Sequence, residues 1–172
     1  MVYIIAEIGV NFYDIAKKYN ISLIDACKLM IIDAKINGAN AVKFQAYKAD
    51  TLVSKDSPAY WDTTLEPTKS QHELFKKHDS FEKNDFEYLS KFCEKESIDF
   101  ICTPFDLDAV EYLDSIVNVY KISSSDITNK PLVLAVARKC KKILLSTGAS
   151  TLEDIDNAIK LIQSTGNEDI VI

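Results

Sequence analysis

Hydrophobic and polar positions follow two alternating patterns along the chain. Short apolar runs bounded by turn-forming residues predict β-strands, and longer segments with apolar residues three or four positions apart predict amphipathic helices. The predicted strands are residues 3–8, 41–45, 100–103, 119–122, 142–145 and 170–172. Because helical segments separate these strands, the pattern predicts a parallel sheet with right-handed crossovers.

Capping residues mark where the helices between the strands begin. The predicted N-caps are Ser22, Ser80, Asp106 and Ser150. A further helix is predicted to open at residues 129–131, with Pro131 in its first turn. Ser150 is expected to form a capping box with Glu153. Residues 48–80 form a long excursion with a short helix predicted at residues 71–77, and a loop of this length in a compact domain is usually functional.

Polar residues stand at the carboxyl ends of the predicted strands. In the second strand, alternation places Ala41, Lys43 and Gln45 on one face, and it places Val42 and Phe44 on the other. The corresponding residues of the other strands are Glu7, Thr103, Lys121 and Ser146. A single mouth that collects polar groups from many strands is typical of a (β/α)8 barrel. A lysine that merely extends from an edge strand is the plainer alternative.

The fold prediction is an α/β chain that forms a partial TIM (β/α)8-type barrel of about six parallel strands. The turn after the first strand lacks the G-x-G-x-x-G spacing of a dinucleotide-binding fold. A complete barrel usually needs about 250 residues. Residues 1–172 are therefore expected to be the amino-terminal portion of a catalytic barrel.

Composition and charge limit the kinds of molecule that the protein is expected to bind and the compartment in which it is expected to work. The 172 residues are 47% apolar and 27% charged with a net charge of −6, which is typical of a soluble globular protein and argues against nucleic acid as a partner. No apolar run approaches the roughly 18 residues that a membrane span needs, and the N-terminus does not resemble a signal peptide. Four cysteines without metal-type spacing predict buried, reduced thiols and a cytoplasmic location.

Lys43 and Lys121 on neighbouring inward positions predict a site for an anion. A phosphate or carboxylate would offset the repulsion between the two lysines. The hydroxyl groups that would complete the site belong to Thr103, Ser124 and Ser146. Glu7 at the same mouth could act as a general base or accept a hydrogen bond from a sugar hydroxyl.

Several of these residues have a second interpretation. Glu7 could simply pair with Lys43. Lys121 could form a Schiff base with a carbonyl substrate, and the serines at residues 123–125 could be a plain polar turn. The residues of the excursion that are expected to be solvated rather than metal ligands are His72 and His78.

Five motifs together resemble the sialic acid synthase family, which includes the N-acetylneuraminate, legionaminate and pseudaminate synthases. The motifs are AEIGVN at residues 6–11, AVKFQ at 41–45, CTPFD at 102–106, YKISS at 120–124 and LSTG at 145–148. No single motif identifies the family, but the five stand in the family's order and span nearly the whole chain.

The resemblance implies a phosphoenolpyruvate-dependent transferase. Such an enzyme condenses phosphoenolpyruvate with the aldehyde of an N-acetylated hexosamine, of the N-acetylmannosamine type, and gives a sialic-acid-like nonulosonate and phosphate. The residues that the resemblance implies to be catalytic are Glu7, Lys43, Lys121 and Asp126. The residues that it implies to bind the substrates are Gln45, Thr103, Ser124 and Ser146.

The chain also departs from the family's pattern. Asp126 stands where the family often has glutamate, and Phe12 replaces a histidine, which is expected to remove a polar group from the mouth. The complete enzyme is expected to use a divalent metal, Mn or Mg, and to be a homodimer. The histidine ligands of that metal and a C-terminal antifreeze-like domain are absent from this sequence, so no metal ligand is assigned and the chain alone is expected to be inactive.

Two other functions stay open. A deoxy-sugar-phosphate synthase also condenses phosphoenolpyruvate with an aldehyde, but its phosphorylated acceptor requires extra arginines, and the sequence contains only Arg138. A non-catalytic half-barrel binding protein would keep the fold without the reaction.

Overall fold

The computed structural model describes residues 2–172, which form one parallel sheet in the order β1-β2-β3-β4-β5-β6. The strands are β1 (Ile5–Gly9), β2 (Ala41–Ala46), β3 (Asp99–Pro104), β4 (Val119–Ile122), β5 (Lys142–Leu145) and β6 (Ile170–Val171). The helices are α1 (Phe12–Tyr19), α2 (Leu23–Ile36), α3 (Ala49–Leu52), α4 (Gln71–Lys76), α5 (Lys83–Lys95), α6 (Leu107–Leu113), α7 (Lys130–Ala137) and α8 (Leu152–Gln163). The predicted fold class, six parallel strands of a TIM-type barrel with intervening helices, is confirmed.

The lengths of these elements agree with the sequence pattern. Each predicted strand lies within two residues of the observed limits. The longest helix of the described residues, α2, has 14 residues, and no helix among residues 2–172 is long and apolar enough to cross a membrane.

The two faces of the sheet differ as the alternation predicts. The buried residues of the outer face, which pack beneath the helices, include Val42, Phe44, Cys102, Tyr120 and Ile143. The residues that line the amino-terminal half of the inner face include Ile5, Ile101, Val119 and Leu144. The Tyr120 hydroxyl donates to the Val110 carbonyl at 2.7 Å, so its polar end is satisfied inside the helical layer.

Two helices, α1 and α3, are absent from the sequence prediction. α1 has eight residues, and its buried residues are Phe12 and Ala16. Phe12 stacks on Phe81 with the ring centroids 4.5 Å apart. Packing against the core, rather than helix propensity, therefore fixes α1. The Phe12 side chain lies in the core, so it contributes no group to the mouth.

Two of the four predicted N-caps, Ser22 and Asp106, are confirmed, and the helix predicted to open at residues 129–131 is capped by Asn129. The side-chain oxygens of Ser22, Asp106 and Asn129 each accept a hydrogen bond from the backbone N–H three residues later. Gly38 follows α2 with φ of +88°, in the left-handed region that a glycine after a helix commonly adopts.

The other two predicted caps are wrong by one or two residues. α5 begins after Glu82 and α8 begins after Thr151, each with a capping box. The Ser80 hydroxyl is instead hydrogen-bonded to the Tyr13 hydroxyl at 2.7 Å. The Ser150 hydroxyl donates at 3.1 Å to the backbone carbonyl two residues before it. Both serines are therefore engaged in tertiary or turn contacts that the local sequence does not reveal.

The cysteines are mostly structural. Cys27, Cys93 and Cys102 are buried, whereas Cys140 is exposed, so the prediction of buried thiols is wrong for Cys140. Burial raises the pKa of Cys93 to about 12, and it raises the pKa values of Cys27 and Cys102 well above their ordinary value. These three thiols therefore stay protonated and pack as small apolar groups.

The sheet has two open edges within residues 2–172, since β1 pairs only with β2 and β6 pairs only with β5. The exposed apolar residues beside these edges include Tyr3, Ile4, Val171 and Ile172. Between the edges lies a cavity of about 490 Å³, which both Tyr3 and Val171 line. The apolar inner face is therefore accessible from the side of the molecule.

Replacing Asp106 with alanine is expected to lower the free energy of unfolding by about 0.5–2 kcal/mol, the usual effect of losing a helix N-cap. Its Oδ1 accepts from the Ala109 N–H at 2.7 Å, and its Oδ2 accepts from the Thr51 hydroxyl at 2.6 Å. Urea denaturation would measure the change. Asp108→Ala, at an exposed position of the same helix, is the matched control, and equal midpoints for the two variants would contradict the capping role.

Candidate active site

Glu7 and Lys43 form an ion pair on the inner face, where β1 and β2 place them in register. The Lys43 side chain is 15% exposed. The Gln45 amide donates to Glu7 Oε1 at 3.3 Å, so the carboxylate is held from two sides by β2. The alternative that Glu7 pairs with Lys43 is confirmed, and a ligand for Lys43 must share this lysine with Glu7 or displace it.

β1 is irregular directly after Glu7. The register with β2 shifts between Glu7 and Gly9, so one residue of β1 is unpaired, as in a β-bulge. Gly9 has φ of +55°, and a Cβ there would lie 3.0 Å from Glu7 Oε1 and 3.2 Å from the Gln45 amide nitrogen. A larger residue at this position would therefore be strained and would press on the Glu7–Gln45 hydrogen bond.

Lys121 lies at the carboxyl end of β4, and the charges of Lys43 and Glu7 affect its pKa. Its ammonium donates to the Ile122 carbonyl at 2.8 Å, and the Ser146 N–H donates to that same carbonyl at 3.1 Å. The pKa of Lys121 is lowered to about 8, chiefly by burial and also by the Lys43 ammonium, while the Glu7 carboxylate opposes the change. We call Glu7, Lys43 and Lys121 the lysine site.

The hydroxyl groups predicted to complete the site lie on adjoining elements. Thr103 is buried in β3, in register with Gln45. Ser124 begins a 3₁₀ turn, Ser124–Asp126, directly after β4. A Cβ on Gly148 would lie 3.3 Å from the Ser124 hydroxyl, so the turns after β4 and β5 are in close contact at this glycine.

Asp126 faces a different part of the mouth from the lysine site. Its carboxylate accepts from the Asn129 amide at 3.3 Å and from the Ser125 hydroxyl at 3.2 Å. It lines a pocket of about 450 Å³ that Gln45 also lines. We call this the outer pocket; its walls include Gln45, Tyr47, Leu52, Gln71, Phe105 and Asp126. Asp126 therefore lies on the side of Gln45 that faces the excursion.

The excursion, residues 48–80, builds one wall of the outer pocket. Phe75 of α4 packs edge-on against Tyr47 with the ring centroids 5.7 Å apart, and Phe105 packs edge-on against Tyr47 at 6.1 Å. Trp61 donates from its indole nitrogen to the Glu66 carbonyl at 3.0 Å, so it anchors the loop. The excursion therefore shapes a pocket that Gln45, the hydrogen-bond partner of Glu7, also lines.

Buried and paired charges hold the excursion against the barrel. Lys48 donates to the carbonyls of Asp79 and Phe81 at 2.8 and 2.9 Å, and it pairs with Glu82 at 2.7 Å. The buried Asp79 carboxylate accepts from the Ala49 N–H at 3.0 Å. Both ends of the excursion are thus tied to each other, which fixes the wall of the outer pocket.

The histidines of the excursion have defined partners. His72 Nε2 lies 2.9 Å from Asp50 Oδ1, and the His72 side chain is only 17% exposed. The His78 ring packs against Tyr13 with the centroids 4.9 Å apart. The expectation that both are solvated is wrong for His72. Among the described residues, no group of three or more His, Cys, Asp or Glu is placed to hold a metal ion.

Sequence reasoning missed the aromatic walls of the outer pocket. Tyr47 and Phe105 each come directly after the polar carboxyl end of a strand, and this position could have marked them as mouth residues. Phe75 could not have been found this way, because only the packing of α4 against Tyr47 brings it to the mouth.

The resemblance noted above implies phosphoenolpyruvate as the ligand of the lysine site, and its affinity is then expected to fall as the pH rises through about 8, where Lys121 loses its proton. A phosphate ester is already fully ionised there, since its second pKa is about 6. The opposite trend is expected for stability. The folded chain releases this proton at about 8 and the unfolded chain at 10.5, so the free energy of unfolding should rise with pH across that window.

Calorimetric titration at several pH values would measure the first effect, and urea denaturation the second. Lys121→Arg keeps its charge throughout this range, so its affinity should not fall above pH 8. Lys121→Met should remove the pH dependence of both quantities. An unchanged pH profile in Lys121→Met would show that another group causes it.

Comparison with known proteins identifies the family. Residues 30–172 match the NeuB family. An uncharacterized protein of Methanocaldococcus jannaschii is 37% identical over 171 residues, covering 99% of this chain and 44% of that protein. The N,N'-diacetyllegionaminic acid synthase of Campylobacter jejuni is 37% identical over 167 residues, covering 95% of this chain and 47% of that protein.

A solved structure shares the fold. The N-acetylneuraminic acid (sialic acid) synthetase of Leptospira borgpetersenii superposes with a TM-score of 0.76 and 27% identity, covering 98% of this chain and 52% of that one. The chain spans less than half the length of the curated relatives described above. The family match includes Lys43, Lys121 and the outer pocket, and it begins after Glu7. The resemblance that the five motifs predict is thus confirmed, and the chain belongs to the NeuB family.

Proposed function

We propose that this chain belongs to an enzyme that condenses phosphoenolpyruvate with an N-acetylated hexosamine to give a sialic-acid-like nonulosonate and phosphate. The observation that carries this proposal is the lysine site, two cations and one carboxylate at the carboxyl ends of parallel strands. Two neighbouring cations suit a small ligand that bears both a phosphate and a carboxylate. The names of the legionaminic and sialic acid synthases among the similar proteins support the product class.

In this proposal each residue has a separate task. Lys43 and Lys121 bind the two anionic groups of phosphoenolpyruvate, and Glu7 meets the sugar. The hydroxyl groups that complete the phosphoenolpyruvate site come from Thr103, Ser124 and Ser146. Carbon 3 of phosphoenolpyruvate bonds to the aldehyde carbon, water adds at carbon 2, and phosphate leaves. Gln45 and Asp126, on the side of the outer pocket, contact the sugar.

The divalent metal of the complete enzyme, Mn or Mg, stays part of the proposal. The described residues do not fit such an ion by themselves, because Glu7 is held by Lys43 and Gln45 and no suitable cluster of ligands exists among residues 2–172. The metal ligands would therefore come from outside this chain, and no step is assigned to a metal. A cytoplasmic homodimer is the proposed state of the complete enzyme, and this chain alone is proposed to be inactive.

The test is an assay with phosphoenolpyruvate and N-acetylmannosamine, on this chain and on any longer protein that contains it. The longer protein should release phosphate and form a 2-oxo acid, and this chain should bind phosphoenolpyruvate without turnover. A longer protein that binds phosphoenolpyruvate but yields no product with any N-acylated hexosamine would contradict the reaction. Absence of phosphoenolpyruvate binding by calorimetry would contradict the role of the lysine site.

A further inference from the structure

We propose that Lys121 is a carbonyl-reactive amine that forms a reversible imine with a small 2-oxo acid such as pyruvate. The condensation proposed above does not use this chemistry, since it assigns Lys121 only the binding of an anion. Lys121 is the third residue of β4 and lies on the inner face, two residues after Val119. The residue is only partly buried, so a ligand that enters the mouth can reach its amine.

Apolar side chains lie next to Lys121 on the inner face. Val119 precedes it on the same face of β4, and Leu144 of β5 is its partner in the strand register. Both of these residues line the apolar cavity between the edges of the sheet. Apolar surroundings disfavour a charged ammonium, and desolvation together with a neighbouring cation is a known way to activate a lysine nucleophile.

Two charged groups on neighbouring strands also act on the Lys121 ammonium. Lys43 of β2 disfavours the proton on Lys121, whereas Glu7 of β1 favours it. Glu7 is already paired with Lys43, and burial acts in the same direction as Lys43, so the pKa of Lys121 falls to about 8. About half of the Lys121 side chains are therefore free amines at that pH, compared with less than about 1% for a lysine of ordinary pKa.

The second lysine of the site determines the class of carbonyl compound. Lys43 keeps its positive charge available to an incoming carboxylate, because its partner Glu7 has a half-exposed side chain that a ligand can displace. A 2-oxo acid carries its carboxylate and its ketone on adjacent carbons. One small ligand can therefore contact Lys43 through the carboxylate and present the ketone carbon to Lys121. A neutral ketone lacks the first of these contacts.

The reaction needs no oxidant and no further reactant. The free amine of Lys121 attacks the ketone carbon, and one N–H proton moves to the carbonyl oxygen to give a carbinolamine. The hydroxyl group then leaves as water together with the remaining N–H proton, and the C=N bond of the imine forms. Hydrolysis runs through the same steps in reverse, so the imine persists only while the 2-oxo acid is present.

An imine at Lys121 would oppose the proposed condensation. That reaction generates a 2-oxo acid beside Lys121, so an imine with the product would slow its release. Other 2-oxo acids would compete with phosphoenolpyruvate for the same lysine. This consequence rests on the proposed function, whereas the imine itself does not.

Reductive trapping on the full chain would test this inference. The chain is treated at pH 8 with pyruvate and cyanoborohydride, whose hydride converts an imine into a stable secondary amine, and peptide mass spectrometry locates the label. Lys121 should be labelled at least about tenfold faster than Lys160, an exposed lysine of α8, because more of it is free amine. Equal labelling of the two lysines would overturn the inference.

Two controls examine the role of Lys43. Lys43→Met removes the cation that lowers the pKa of Lys121 and would bind the carboxylate, so labelling of Lys121 should fall while that of Lys160 stays the same. Methyl pyruvate tests the same point on the unaltered chain, because it has the ketone but no carboxylate. Its preference for Lys121 over Lys160 should be smaller than that of pyruvate, and an equal preference would overturn the 2-oxo acid as the ligand class.

The pH profile of trapping gives an independent readout. The labelling rate of Lys121 should level off above about pH 8, where its amine is already free. A lysine of ordinary pKa would keep gaining reactivity up to about pH 10.4. A profile that followed the ordinary value would overturn the inference.

A parallel titration with phosphoenolpyruvate separates this inference from the proposed function. Phosphoenolpyruvate that binds and slows the labelling of Lys121 would support both. Phosphoenolpyruvate binding without preferential labelling of Lys121 by pyruvate would overturn the inference and leave the proposed function intact. Preferential labelling without phosphoenolpyruvate binding would support the inference and contradict the proposed function.

Discussion

Replacing Lys43 with alanine is expected to weaken phosphoenolpyruvate binding by about 1.5–3 kcal/mol, the usual contribution of a hydrogen bond to a charged group. Lys43 is mostly buried on the inner face and has Glu7 as its ion-pair partner. Its loss removes the cation from the centre of the lysine site and leaves the Glu7 carboxylate to repel an anion. Calorimetry on the folded chain would give the affinity directly.

Two further variants control this experiment. Lys160→Ala removes an exposed lysine that pairs with Asp156 on α8, and it should leave the affinity unchanged. Glu7→Gln removes the carboxylate that competes for Lys43, so it should bind phosphoenolpyruvate at least as tightly as the original chain. Equal weakening by Lys43→Ala and Lys160→Ala would show that the anion binds elsewhere.

The isolated 172-residue chain is expected to associate with itself rather than to persist as a stable monomer. β1 and β6 present unpaired backbone groups, and the apolar residues Tyr3, Ile4 and Val171 beside them are exposed. An unpaired apolar edge is a template for pairing with another strand. Light scattering over a range of protein concentrations should therefore show aggregates or a closed assembly of copies.

Charges placed at the edges provide the control. Ile4→Lys and Val171→Lys should reduce association, since lysine on an edge strand opposes pairing. The same change at Leu152, which is exposed but lies on α8 away from the edges, should not. A concentration-independent monomer whose β1 amides exchange as slowly as those of β2 would contradict the expectation.

The alternation of apolar and polar residues was sufficient to predict the sheet and the face on which the site lies. Lys43 and Gln45 interrupt an otherwise apolar strand, and the pleat fixes both on the side opposite Phe44. Glu7 could be assigned in the same way because β1 and β2 are neighbours in the sheet. The sequence pattern of a strand is therefore enough to predict which face of the sheet each of its side chains lies on.

Features that depend on contacts distant in sequence could not be predicted. Ser80 looks like a helix cap, but its hydroxyl is bonded to Tyr13, 67 residues earlier in the chain. The helical state of α1 likewise depends on stacking between Phe12 and Phe81. The outer pocket is the clearest case, since Phe75 reaches the mouth only because the excursion folds back against the barrel.

The order of the strands in the sheet is the same as their order in the chain, from β1 to β6. During synthesis on the ribosome, each strand therefore emerges after the neighbour with which it pairs, and no later strand has to be inserted between two earlier ones. Each new strand pairs with the strand made just before it, so only a short loop of chain must close at each step. Short loops favour rapid folding. The barrel wall can thus form progressively while the chain is being made.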